Sequence, residues 1–201
     1  MTVFQLLMLG ASAFFAYKIY EHIQTLKDSE TEGNLESETT PRTADSFSTS
    51  NASSLIEKAD AEREKGNLDK ALAIYSEAKI KEPENAEVLF KMGYTLSLQE
   101  RDEEALEYFT DALEQDDANP FTHQAMASIY RKEGKFALAQ KHLQRSLELN
   151  SEDRVSYYNY GNLLVDMKEF DKAKEMYAKA LEIDPDFKEA KAELEKLHSE
   201  Q

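Results

Sequence analysis

Four histidines, His22, His123, His142 and His198, are the residues of this 201-residue chain best suited to moving protons or ligating metal, and there is no cysteine to join them. The missing thiols exclude disulfides, thiolate nucleophiles and thiolate metal sites together. The histidines lie far apart in sequence. None has a second histidine or a carboxylate at the i,i+4 spacing of a zinc site, apart from acids that fall there by chance. His123 occupies an apolar position of a helix, which predicts a packed core residue. No glycine-rich phosphate loop and no G-x-S-x-G element occurs. The 40 Asp and Glu residues are too abundant on helical stretches to mark a catalytic pair. These patterns point away from an enzyme and imply no cofactor and no metal.

The elements around these residues carry more information. The formal net charge is -16 and the sequence pI is near 4.7. A chain of that charge is repelled by a phosphate backbone, so nucleic acid is not expected as a partner. Glycine and proline total only 10 residues while 32% are charged, a composition that favours helices over a barrel. The charge divides the chain in three: net +1 over 1–27, net -5 over 28–51, and net -12 over the remainder.

Residues 1–27 predict a transmembrane anchor helix with a juxtamembrane extension. The window Val3–Tyr20 would form roughly 27 Å of helix against a hydrocarbon core of about 30 Å. Tyr17 and Tyr20 suit the interfacial level, Lys18 can snorkel there, and Ile19, Ile23 and Leu26 continue one apolar stripe. Lys18 and Lys27 both follow the span, which places the bulk of a single-pass membrane protein in the cytoplasm, a periplasmic or extracellular location being the alternative. Ala11-Ser12-Ala13 also fits a signal cleavage pattern, and the alternative it opens is an exported binding protein. Residues 28–51 hold ten Ser/Thr and six acids with only Leu35 and Phe47 as large apolar groups. Such a stretch cannot repay its ordering entropy and is expected to be a disordered linker.

From Ala52 the chain repeats itself every 34 residues. Ala71, Ala105, Ala139 and Ala173 form one column. Tyr75, Phe109, Leu143 and Tyr177 form a second, and Ala78, Ala112, Ser146 and Ala180 a third. Ala59, Gly93, Ala127 and Gly161 recur in the first half of each unit. Each unit offers two amphipathic stretches joined by a polar turn such as Lys65-Gly66-Asn67 or Glu133-Gly134-Lys135. A small residue at one fixed place lets two helix axes approach closely, and the large residue one turn later fills the gap. One such pair cannot bury its own apolar face, so stacking must supply the core.

The period and columns resemble the tetratricopeptide repeat family, with Pro83 and Pro185 at its proline position and Gly66 and Gly134 at its turn glycine. The resemblance implies an all-α, right-handed superhelical array of four helix–turn–helix repeats, at 52–85, 86–119, 120–153 and 154–187. The tail 188–201, with Ala190, Leu194 and Leu197 as a narrow stripe, reads as a C-terminal cap helix. In the first unit Lys58, Glu62 and Lys79 stand at usual apolar places, which suits an end unit with one wet face. In the second, Asp102 and Asp117 replace the usual aromatic and proline.

The resemblance also implies a concave groove lined by the first helix of each unit. Carried over position by position, it names Phe90, Tyr94, Leu98, Phe121, Gln124, Arg131, Val155, Tyr158 and Asn162 as the protein-binding residues. Members that clamp a terminal carboxylate use Lys and Asn in the first unit and Asn in the second. Here those places hold Ile56, Asp60 and Lys91, so an apolar or helical peptide is the better ligand. The expectation is a membrane-anchored adaptor or assembly factor with a protein or peptide partner and the membrane as a second partner. Self-association into a homo-oligomeric scaffold is the alternative, for which Ser12 and Ala16 offer one small-xxx-small pair.

Overall fold

The structure is a computed structural model and describes residues 51–199. Among them the chain forms helices only, in four antiparallel pairs and a closing helix. The pairs are α1 (Ala52–Glu64) with α2 (Leu68–Lys81), α3 (Ala86–Leu98) with α4 (Asp102–Gln115), α5 (Pro120–Lys132) with α6 (Phe136–Leu149), and α7 (Arg154–Asp166) with α8 (Phe170–Ile183). The closing helix is α9 (Lys188–Ser199). The result is an all-α, right-handed repeat array.

Each first helix starts at a capping side chain. Asn51 accepts from the Ser54 N–H at 2.9 Å, Asn85 from Val88 at 3.1 Å, Asn119 from Phe121 and Thr122, and Asp153 from Val155 and Ser156. These four caps stand 34 residues apart, and each is worth about 1 kcal/mol to its helix. Asn51 thus belongs to α1 and not to the linker.

The first helices also end alike. The next backbone turn has positive φ at Gly66 (80°), Glu100 (61°), Gly134 (73°) and Lys168 (62°). The following N–H reaches back five residues, from Asn67 to Glu62, Arg101 to Leu96, Lys135 to Tyr130 and Glu169 to Leu164. This left-handed closure stops the helix and aims the chain back along it. Glycine adopts it freely at 66 and 134, whereas Glu100 and Lys168 hold it against their own Cβ atoms.

The small columns lie at the helix crossings. Ala71, Ala105, Ala139 and Ala173 are wholly buried, and Tyr75, Phe109, Leu143 and Tyr177 are buried beside them. A Cβ added at Gly93 would lie 2.8 Å from the Phe109 ring, and one at Gly161 would lie 2.4 Å from the Tyr177 ring. Ala190 and Leu197 seat α9 on the last pair. Glu62 departs from the wet end face expected of the first unit. It is buried at the foot of α1, where Asn67, Lys65 and Lys70 donate to it. Those donors, Asn67 foremost, lower its pKa to about 2.

The transmembrane part of the expected architecture is corrected. Among the described residues no helix is long and apolar enough to cross a membrane. The longest have 14 residues, about 21 Å of helix, against about 30 Å of hydrocarbon. The anchor at 1–27, with its cleavage alternative, and residues 28–50 of the linker lie outside the described residues. The single-pass location, the cytoplasmic placement tied to it and the membrane as partner therefore drop out of the functional reading.

Candidate functional site

The first helices of neighbouring pairs touch, α3 against α5 and α5 against α7, so their outward faces form one continuous surface. On it Tyr94, Leu98, Phe121 and Val155 are 38%, 46%, 56% and 38% exposed. Phe90 lies half-buried beneath, stacked on Tyr94 at 6.2 Å and leaning on Phe109 at 5.9 Å. The Arg63 guanidinium sits 5.4 Å above the Tyr94 ring. Tyr94, Ser97, Asp102, Ala125, Ser128, Ile129 and Lys132 enclose a hollow of about 240 Å³ between α3 and α5. Lys132 closes one side of it through a 2.7 Å ion pair with Asp102. The exposed aromatic face and this hollow can take up apolar side chains of a partner.

A second hollow of about 270 Å³ lies at the far end, among Arg131, Tyr158, Asn162, Val165, Asp166, Tyr177 and Glu193. Arg131 is paired there with Asp166 at 3.0 Å. Asn162 accepts the Tyr177 hydroxyl proton at 2.7 Å, and Tyr158 packs edge-on against Phe187 at 5.3 Å. The chain covers part of this end itself.

Of the nine residues expected to line the groove, Tyr94, Leu98, Phe121 and Val155 present the open apolar surface, and Phe90 supports it. Arg131, Tyr158 and Asn162 gather at the second hollow. Gln124 is not at the surface. It is 9% exposed, and its amide donates to Asp153 at 2.5 Å and to Ser146 at 3.4 Å. Ser146 in turn bonds Ser156 and the Pro120 carbonyl. Gln124 thus ties the third pair to the cap of the fourth.

The other end of the face is ionic. Asp60 accepts from Lys91 and from the Tyr75 hydroxyl, both at 2.5 Å, and from Arg63 at 3.2 Å. Burial raises the Asp60 pKa, but the bonds from Lys91, Tyr75 and Arg63 outweigh it and the net direction is down. Burial, and then Asp60, push the Tyr75 phenol up. Asp60 therefore contributes stability above its ordinary value of 3.8, and the contribution is lost as pH falls below it. Replacing Asp60 by alanine removes the acceptor of the buried Tyr75 hydroxyl and of Arg63, while Lys91 keeps its pairing with Glu87. The expected loss is about 1–3 kcal/mol in urea denaturation at pH 7, with a smaller loss for Asp60→Asn.

Two sequence-family models described as tetratricopeptide repeat match the chain, one over residues 55–120 and the other over 120–186. The chain belongs to the tetratricopeptide repeat family. RNA polymerase II-associated protein 3 of Xenopus laevis is 30% identical over 130 residues, which are 65% of this chain and 19% of that protein. The chain therefore spans about a fifth of that relative. Among solved structures, the first repeat domain of Spaghetti (RPAP3) bound to the HSP90 peptide SRMEEVD superposes with a TM-score of 0.55 at 29% identity. The match covers 57% of this chain and 90% of that one. YrrB, described as a repeat protein with an unusual peptide-binding site, superposes with a TM-score of 0.60 at 25% identity, over 74% and 77% of the two chains. The helical repeat array is the fold this chain shares with these peptide-binding proteins.

Proposed function

We propose that this tetratricopeptide repeat chain is a protein-interaction adaptor whose concave face binds an apolar or helical peptide segment. The observation that carries the reading is the run of exposed Tyr94, Leu98, Phe121 and Val155 on adjoining inner helices. Aromatic anchors next to a hollow are the composition of binding hot spots. The peptide-binding sites named for the two related structures support the same use of the fold. An acidic tail such as SRMEEVD suits this chain poorly. Lys91 and Arg63 are already engaged by Asp60, whose carboxylate would repel a terminal carboxylate. Membrane anchoring forms no part of this reading.

The test is affinity capture with the full chain and with a Tyr94→Ala/Leu98→Ala/Phe121→Ala variant whose helix content is unchanged. Partners held by the parent are expected to weaken by at least about 100-fold in Kd in the variant, as for two or more lost hot spots. An identical captured set overturns the groove assignment. Capture of the chain by itself, with a dimer in sedimentation, favours the self-associating scaffold.

A further inference from the structure

The third pair carries a polar contact that the other three lack. In the column of Leu55, Leu89 and Tyr157 it has His123, and in the column of Ile74, Tyr108 and Met176 it has His142. Two apolar columns are thus replaced by histidine in the same repeat. The structure brings the two rings together, with the Nδ1 atoms 3.0 Å apart and the ring centroids 5.2 Å apart. Tyr130 packs on His142 at 5.4 Å. His123 is 8% exposed, and its Nε2 is buried without a hydrogen-bond partner.

At this separation one Nδ1 donates its proton and the other accepts it, so the neutral pair shares one Nδ1 proton. A further proton has two places to go. On the accepting Nδ1 it breaks the bond between the rings. On an outer Nε2 it leaves a buried cation, and at His123 the Asp117 backbone offsets that burial only in part. The charged groups around the pair add to this. Lys141 and Arg145 on α6 disfavour a second proton, and Asp117 between α4 and α5 opposes them in part.

We propose that His123 and His142 form a proton-sensitive latch between α5 and α6, which holds the third repeat closed while neutral and opens it on taking up a second proton. Burial lowers both pKa values, that of His142 to about 4 with help from His123 and Lys141. The unfolded chain takes up these protons near 6.5, so stability is full above that pH and falls as pH drops from 6.5 toward 4. For His142 alone the folded-to-unfolded ratio should fall about 30-fold between pH 7.5 and pH 5. Because α5 also carries Phe121, a ligand bound on the concave face would be released over the same interval. The latch itself does not depend on that reading.

The test compares urea unfolding of the full chain with a His123→Leu/His142→Ile variant, which restores the residues of the first repeat. The parent is expected to lose stability between pH 7.5 and 5 and the variant to keep it. Amide exchange over residues 120–149 of the parent should quicken at pH 5 relative to 52–81, after correction for the intrinsic rate. Should the variant not fold, NMR titration of the parent decides the matter: two of its four imidazoles are expected to titrate well below the other two. Parallel losses in parent and variant, or four ordinary imidazole titrations near 6.5, overturn the proposal.

Discussion

Phe109→Ala is expected to destabilise the array by about 3–5 kcal/mol, the cost of emptying a wholly buried aromatic site. The magnitude follows from what the ring touches. It fills the space over Gly93, supports Phe90 from below, and packs with Leu96, Met126 and Ile129 across two repeats. The glycine beneath it has no Cβ with which to close the hole. Urea denaturation followed by far-UV circular dichroism reads the loss as an earlier transition. A change under about 1 kcal/mol would mean that neighbouring side chains collapse into the site. Phe90 rests on Phe109, so the same variant should also weaken the concave face even where it remains folded.

Gly161→Val is expected to cost about 3 kcal/mol, the upper end of the range for overfilling a packed core. A Cβ there meets the Tyr177 ring at 2.4 Å, and the ring is pinned at its far end by the bond to Asn162. Valine adds two methyl groups to that conflict. The first repeat marks the limit of tolerance, since Ala59 lies at the equivalent place beside Tyr75. Gly161→Ala should therefore cost much less than Gly161→Val. Adding Tyr177→Leu to the valine variant should recover part of the loss, because Ala127 with Leu143 is the combination in the third repeat. Thermal unfolding of the four proteins checks the order, and a recovery of zero would place the strain elsewhere.

The core of the fold was legible in the columns because period and packing are the same fact: a residue type recurs every 34 positions where two helices cross. Two further columns at that period were open to reading. Asn51, Asn85, Asn119 and Asp153 start the first helices, and residues 66, 100, 134 and 168 end them. The second was hidden because Glu100 and Lys168 occupy a backbone state that glycine would advertise.

The exposure of Tyr94, Leu98, Phe121 and Val155 was legible, because it depends only on their place on a first helix. Gln124 was misplaced because its partner, Asp153, belongs to the next repeat and draws the amide inward. Tyr158 and Asn162 are constrained by Phe187 and Tyr177, contacts that no position rule contains. The histidine pair escaped notice for a related reason. Nineteen residues separate its members in sequence, and only the two apolar columns, compared across repeats, set them side by side.

The neighbour-to-neighbour packing of the helices bears on how the protein comes into being. The principal contacts join helices adjacent in the chain or one repeat apart. Among the described residues no distant segments must find one another before structure is rewarded, so little loop entropy opposes the first steps of their folding and contact order is low. Any of the repeats can serve as the nucleus, with its neighbours added in either direction. During synthesis the helices from α1 onward can dock as they leave the ribosome, each on a surface its predecessor has already built.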